Sequence, residues 1–295
     1  MAEDLYVPLE SRGLLRLTGG DRVSFLQGLV SNDVAQASPD KALHTAFLTA
    51  QGKYLHDFFI AVDGDALMLD VEKDRLPDLM KRLKMYKLKS DITLTDASDD
   101  YRIAAVIGEK VAETLGLSGD SGSAKAIGNG VVFMDPRLAR AGARAILPKD
   151  DGAAPLTAVG FHAGSQADYD RTRIALGLPD GSRDQTVDKA ILLENGYDEM
   201  GSIAWDKGCY LGQELTARTR YRGLVKKRLV PVEIDGPLPE PGTAVTNGDK
   251  EVGEIRSGQD GVALALMRLE AMESTEGLTA GEAAVTPRKP DWATF

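Results

Sequence analysis

One stretch of the chain concentrates residue types that can do chemistry. Residues 206–223 read DKGCYLGQELTARTRYRG and hold Cys209, the one thiol among 295 residues. Lys207 stands two positions before it, and Gly208 and Gly212 lie on either side. A nearby ammonium and a helix N-terminus both favour thiolate over thiol, the form that attacks electrophiles and binds metals. The residue pattern predicts a helix over 213–222. Gly208 and Gly212 would then let the backbone approach a ligand at its start. The alternative is a cysteine packed as a small apolar side chain, which needs neither a lysine nor glycines beside it.

Charge marks the same stretch. From Lys207 to Arg228 there are seven basic residues (Lys207, Arg218, Arg220, Arg222, Lys226, Lys227, Arg228) and one acid, Glu214. That is a local excess of six positive charges in a chain whose net charge is −10. Arg218 and Arg222 are four apart and would share a helix face. Guanidinium forks suit carboxylates and phosphates. The competing reading is a solvated face turned towards the acidic remainder of the protein.

Composition narrows the possibilities. One cysteine excludes an internal disulfide, and with three histidines it leaves no self-contained zinc or iron–sulfur site of the usual kind. Forty-five acids against 35 bases oppose general nucleic-acid binding. No apolar run reaches the roughly 18 residues of a membrane span. The start, MAEDLYVPLE, lacks the basic and apolar regions of a signal peptide, so a cytoplasmic protein with no membrane contact is expected.

The elements around this stretch must position it. Strands are predicted over 13–18, 44–50, 54–62 and 66–71, with Gln51-Gly52-Lys53 and Asp63-Gly64-Asp65 as hairpin turns. Helices are predicted after Asp21, carrying Val23, Leu26, Leu29 and Val30, and through Leu76, Leu79, Met80 and Leu83. No GxGxxG or Walker sequence interrupts them. A second small α+β layout follows, with strands over 92–95, 102–107, 131–134 and 144–147, a short helix ended by Gly116, and a loop over 118–130. A helix over 165–176 ends at Gly177, with Pro179 beyond it. From Arg228 on, short strands alternate with Gly/Pro turns, the pattern of an antiparallel β-barrel or sandwich, and the tail after Pro287 reads as extended. His44 and His56 fall in strands and His162 in a loop, and none is assigned to catalysis. Trp205 is either core or an apolar wall for a bound ring.

The run Lys207-Gly208-Cys209-Tyr210-Leu211-Gly212-Gln213-Glu214 matches the K-G-C-[FY]-x-G-Q-E signature of the YgfZ family, and Thr216-Ala217-Arg218 with Tyr221-Arg222-Gly223 continues it. Asp21-Arg22, Phe25 to Leu29, Asn32-Asp33-Val34, Gln51-Gly52-Lys53 with Asp57, and Arg173-Ile174 with Gly177 and Pro179 extend the resemblance over nearly the whole chain. The family comprises folate-binding relatives of the glycine cleavage T protein, mitochondrial iron–sulfur assembly factors among them. The resemblance implies an α+β fold: a T-protein-like three-domain ring around a central cavity, with two α+β domains and a C-terminal antiparallel β-barrel. The domains would be 1–90 with 165–225, 91–164, and 226–295.

It also implies tetrahydrofolate in that cavity. Glu194, after the apolar Ile191-Leu192-Leu193, aligns with the family's pterin-anchoring glutamate, and Asp57 with an aspartate of the first hairpin. A buried carboxylate can take paired N–H bonds from a pterin. For Asp57 the alternative is a surface charge near a turn, and for Glu194 a helix-end charge. Gly208, Tyr210, Gly212, Gln213, Arg218 and Arg222 complete the expected folate set. Cys209 and Lys207 would be the reacting pair. The function implied is accessory to iron–sulfur cluster assembly or repair, not necessarily enzymatic. Cys209 would act as a redox or sulfur-handling thiolate or as one ligand of a cluster shared transiently with a partner. Iron–sulfur assembly or client proteins would be the partners. The alternatives are a tetrahydrofolate-dependent aminomethyl transferase and a tRNA-modification factor.

Overall fold

The computed structural model describes residues 4–273 and 277–295. The chain divides into two units that share it in alternation. The first takes the chain up to Leu48, then Leu55–Gln166 and Met200–Leu211; the second takes Thr49–Tyr54, Ala167–Glu199 and everything from Gly212.

The first unit holds β1 (Leu5–Pro8), β2 (Arg12–Thr18), α1 (Arg22–Gln27), β3 (Leu43–Leu48), β4 (Tyr54–Asp63), β5 (Ala66–Glu72), α2 (Leu76–Lys87), β6 (Thr93–Asp96) and β7 (Tyr101–Ile107). It continues through α3 (Val111–Leu115), β8 (Ala124–Ile127), β9 (Gly130–Met134), β10 (Ala143–Pro148), α4 (Ala154–Thr157) and β11 (His162–Ala163). The strands form a five-stranded sheet, β3-β4-β5-β2-β6, and a six-stranded sheet, β11-β1-β7-β10-β9-β8. Eight consecutive residues of β4, YLHDFFIA, are buried, as expected of a strand covered on both faces.

Charges as well as apolar side chains tie the two sheets together. Asp70 of β5 is fully buried and accepts from Arg12 Nε at 2.6 Å and from Arg144 Nη1 of β10 at 2.7 Å. The Phe59 ring lies 3.8 Å from the Arg144 guanidinium carbon and 4.9 Å from that of Arg137. Burial alone would raise the Asp135 carboxyl; the guanidinium groups of Arg137 and Arg144 outweigh it and hold it down to about 2. Such a buried network is costly to break from one side.

The second unit holds α5 from Ala167 on (the helix runs Gln166–Ala175), α6 (Gln213–Tyr221), and β12 (Lys227–Asp235), β13 (Ala244–Asn247), β14 (Lys250–Gln259), β15 (Val262–Arg268), β16 (Leu278–Ala280) and β17 (Ala283–Pro287). The six strands close an antiparallel barrel in the order β12-β15-β14-β13-β16-β17. Its core is Val230, Val232, Val245, Ile255, Ala263, Ala265 and Met267, the inward side of each alternating strand. Gly177 ends α5 at φ +76°, and a Cβ there would meet Pro290 at 2.9 Å, so only glycine fits.

Several sequence expectations need correction. The helix after Asp21 stops at Gln27, leaving Leu29 and Val30 in the turn beyond, where Val30 bridges Phe47. The glycine-rich stretch 118–130 is not all loop, because β8 sits within it. Strands β1 and β11 were not foreseen: each is short, and β11 has two residues, too few for any periodicity. β16 and β17 complete the barrel before the tail begins.

Candidate functional site

The segment leading to Cys209 is sewn to the turn after α1, both within the first unit. Leu211 N donates to Gly28 O at 3.1 Å, and Ala204 N to Ser31 O at 3.0 Å. Ser31 Oγ donates to Ser202 O at 2.7 Å, and Asn32 Nδ2 to Gly201 O at 2.9 Å. Lys207 closes the seam by donating from Nζ to Val30 O at 2.8 Å and Asn32 O at 2.6 Å. Charge-assisted bonds of this kind are the stronger ones. Burial pushes the Lys207 ammonium down to about 8, against the opposing pull of Asp33. The Tyr210 ring, buried, lies 5.3 Å from Nζ.

Cys209 falls between the anchors at Lys207 and Leu211 and is exposed, so it is not a packed apolar side chain. A Cβ added at the neighbouring Gly208 would meet nothing within 4 Å, so the backbone beside the thiol borders open space. Lys207 was expected to ionise that thiol or to touch the ligand. Its Nζ donates to two main-chain carbonyls, which pins the segment that carries the thiol.

Asp57, on β4, is not a surface charge. It is buried, and its Oδ2 lies 3.0 Å from His44 Nε2, while His44 Nδ1 lies 2.7 Å from Ser202 Oγ. Burial favours the neutral His44 ring and lowers its pKa, outweighing the hydrogen bond to the Asp57 carboxylate. The chain Asp57–His44–Ser202 thus supports the same segment from below. Ser202 is fully buried. The sequence gives no sign of this chain, since its three members stand 13 and 158 positions apart.

Glu194 belongs to the second unit and has a different setting. It lies on a 3-10 turn, Leu192–Asn195, whose Leu192 and Leu193 are buried and anchor it. Its carboxylate is half-buried and makes no hydrogen bond or close ion pair among the described residues. Burial raises its pKa, with Lys227, Lys53 and Arg228 pulling the other way. Arg228 is already spent on Leu193 O at 2.7 Å and Glu199 at 2.8 Å. Lys53 follows Gly52, whose φ is +75° and where a Cβ would stand 2.7 Å from both Gly212 O and Leu215 Cβ. Gly212, at φ +81°, starts α6 at Gln213, as predicted. The two glycines therefore serve a close approach of the hairpin tip to the start of that helix.

The basic run does not form one surface. Arg218 pairs with Glu214 one helical turn away, Arg228 is buried, and Lys207 faces main-chain carbonyls. Arg218 and Arg220, Arg222 just past α6, and Lys226 are exposed. Trp205 is half-buried. His56 pairs with Asp78 at 2.9 Å and His162 is exposed. No group of three or more potential metal ligands occurs among the described residues. Two grooves of about 670 and 550 Å³ open on the first unit, and neither is lined by Cys209, Asp57 or Glu194.

Known proteins resemble this arrangement over its whole length. Residues 226–295 match the C-terminal β-barrel domain of CAF17. The chain is 34% identical over 309 residues to the mitochondrial iron–sulfur cluster assembly factor IBA57 of Mus musculus, covering 96% of this chain and 84% of the relative. The chain belongs to the IBA57 family. The Homo sapiens protein of that name is 32% identical over 307 residues, with the same coverage. The fold is that of the glycine cleavage aminomethyltransferase T of Bartonella henselae, at a TM-score of 0.79 and 15% identity over 99% of this chain and 87% of that one. YgfZ, named from the signature, is a related family, and membership lies with IBA57. The expected cytoplasmic location does not stand, because the IBA57 relatives are mitochondrial by name. That expectation rested on the missing signal-peptide pattern, which bears on secretion and not on import into an organelle.

Proposed function

We propose that this protein is a folate-binding accessory factor in iron–sulfur cluster assembly, acting with assembly or client proteins through the thiol of Cys209. One observation carries the reading: the single thiol is exposed, yet it is held between backbone anchors at Lys207 and Leu211. A thiol on a fixed, open turn can be met by a partner's ligands without a large ordering cost, and one cysteine fits a cluster that is cargo shared between proteins. Cys209→Ser is expected to fold with an unchanged unfolding midpoint and to lose support of cluster-dependent enzymes in cells lacking the native protein. Full complementation by that variant sinks the role.

Tetrahydrofolate suits the second unit better than the first. Glu194 is a carboxylate without an internal partner among the described residues, so its oxygens are open to N–H donors, and a ligand's donors would offset the burial that raises its pKa. Lys53 and Lys227 act on the same carboxylate and favour its charged form. Folate, when bound, supplies a carrier for one-carbon units. Asp57, committed to His44, is withdrawn from the folate set. Calorimetric titration with 5-formyl-tetrahydrofolate checks this: Glu194→Gln should weaken binding at least tenfold, and unchanged affinity removes Glu194 from the site.

A further inference from the structure

The last turns of α2 carry a surface that neither the thiol nor Glu194 uses. Residues 81–89 read KRLKMYKLK, five cations and no acid. Leu76, Leu79 and Leu83 turn inward and are buried, so the helix has already spent its apolar face on its own core. Three large apolar side chains remain outside: Leu88 at 88% exposure, Met85 at 60% and Tyr86 at 40%. Tyr86 is held in place by an edge contact with Phe47 at 6.2 Å. Leu88 stands at φ 44° and ψ −111°, a region that strains a leucine and suits glycine. The fold thus spends strain to display an apolar side chain in water.

The surrounding charges are uncommitted as well. Arg82 pairs with Asp78 at 2.7 Å, but Lys81, Lys84, Lys87 and Lys89 have no ion pair or side-chain hydrogen bond among the described residues. Carboxylates are plentiful in a chain with 45 of them, and cations elsewhere have found them: Lys250 pairs with Glu270, Arg171 with Asp260, Arg288 with Glu233.

We infer that this end of α2 is a docking surface for an acidic protein, which would set an apolar notch over Met85, Tyr86 and Leu88 and place carboxylates on the four lysines around them. An apolar centre with a charged rim is the anatomy of a protein–protein contact. Charge complementarity chooses an acidic partner. Nucleic acid gains nothing from an exposed leucine and methionine, which offer its phosphates no contact. A membrane-bound helix would need the apolar face that α2 has buried. The inference does not depend on Cys209 or on folate.

The test places a photo-crosslinking benzoylphenylalanine at position 88 of the full chain in living cells, with position 159, where Val159 is also exposed, as control. The expected result is one dominant protein adduct of acidic isoelectric point, absent at position 159. That partner, purified, should bind the wild-type chain, and K84E/K87E/K89E should weaken binding at least tenfold, as should raised salt. Leu88→Gly should weaken it several-fold while the melting temperature stays level or rises, which separates docking from folding. Adducts with lipid or nucleic acid overturn the inference, as does flotation of the chain with phosphatidylglycerol vesicles. No adduct above the control overturns it, and so does a partner indifferent to the charge reversal.

Discussion

Asp57 and Glu194 carry the same chemical group and look equally suited to hold a pterin, yet the fold treats them in opposite ways. Asp57 is buried and spoken for: its oxygen lies 3.0 Å from His44, which lies 2.7 Å from Ser202. Glu194 is half-buried with its carboxylate uncommitted, and burial raises its pKa. The first unit uses its carboxylate to complete a scaffold; the second keeps one in reserve. A carboxylate with partners contributes to stability, and one without them is available to a ligand. The difference shows that residue type and position along a strand are not enough to assign a binding role. Hydrogen bonds decide it.

Removing each carboxylate breaks or sharpens the contrast. Asp57→Ala leaves a buried histidine without its acceptor and should cost about 3 kcal/mol in urea unfolding. A loss within the error of the measurement makes Asp57 as free as Glu194 and dissolves the comparison. His56 supplies the pH dependence of the same scaffold. Burial, with Arg75 adding to it, lowers its pKa to about 4 despite Asp78. Between pH 6.5 and 4 the unfolded chain takes a proton that the native ring refuses, so stability should fall by about 3 kcal/mol as pH drops through that window. His56→Gln should flatten that part of the stability–pH curve. Lys207→Met removes two charge-assisted bonds and should cost about 1–2 kcal/mol. It should also speed amide exchange over 200–211 while leaving the pH midpoint of Cys209 alkylation where it was. A shifted midpoint with unchanged exchange restores an electrostatic role for the lysine. The smallest effect belongs to Glu194→Gln, expected within about 0.5 kcal/mol of wild type because no internal bond is lost.

The sequence was most legible where the pattern is local. The β4–β5 hairpin, α2, α5 with its Gly177 stop and the first four barrel strands follow from periodicity and turn residues, and α6 follows from the glycine before it. The Cys209 segment stood out because a thiol, a lysine and two glycines are rare together. What the local pattern hid was partnership. Lys207 looks like an activating charge until Val30 and Asn32 are seen to accept its protons, and those carbonyls belong to residues 175 and more positions away. Arg228 reads as part of a basic surface until Glu199 and Leu193 are found beside it. In both cases the decisive contact is long-range and polar, and neither leaves a periodic trace.

The seam between residues 28–32 and 201–211 also has a place in time. During synthesis both sheets of the first unit can be laid down once residue 163 has emerged, but Ser31, Asn32 and His44 are buried groups whose partners are Gly201 and Ser202. Until that later segment arrives, water must occupy its place, and closing so long a loop makes the step late and slow. The thiol is therefore among the last parts of the first unit to be installed, so a nascent chain cannot present it on its fixed turn before the scaffold beneath is complete.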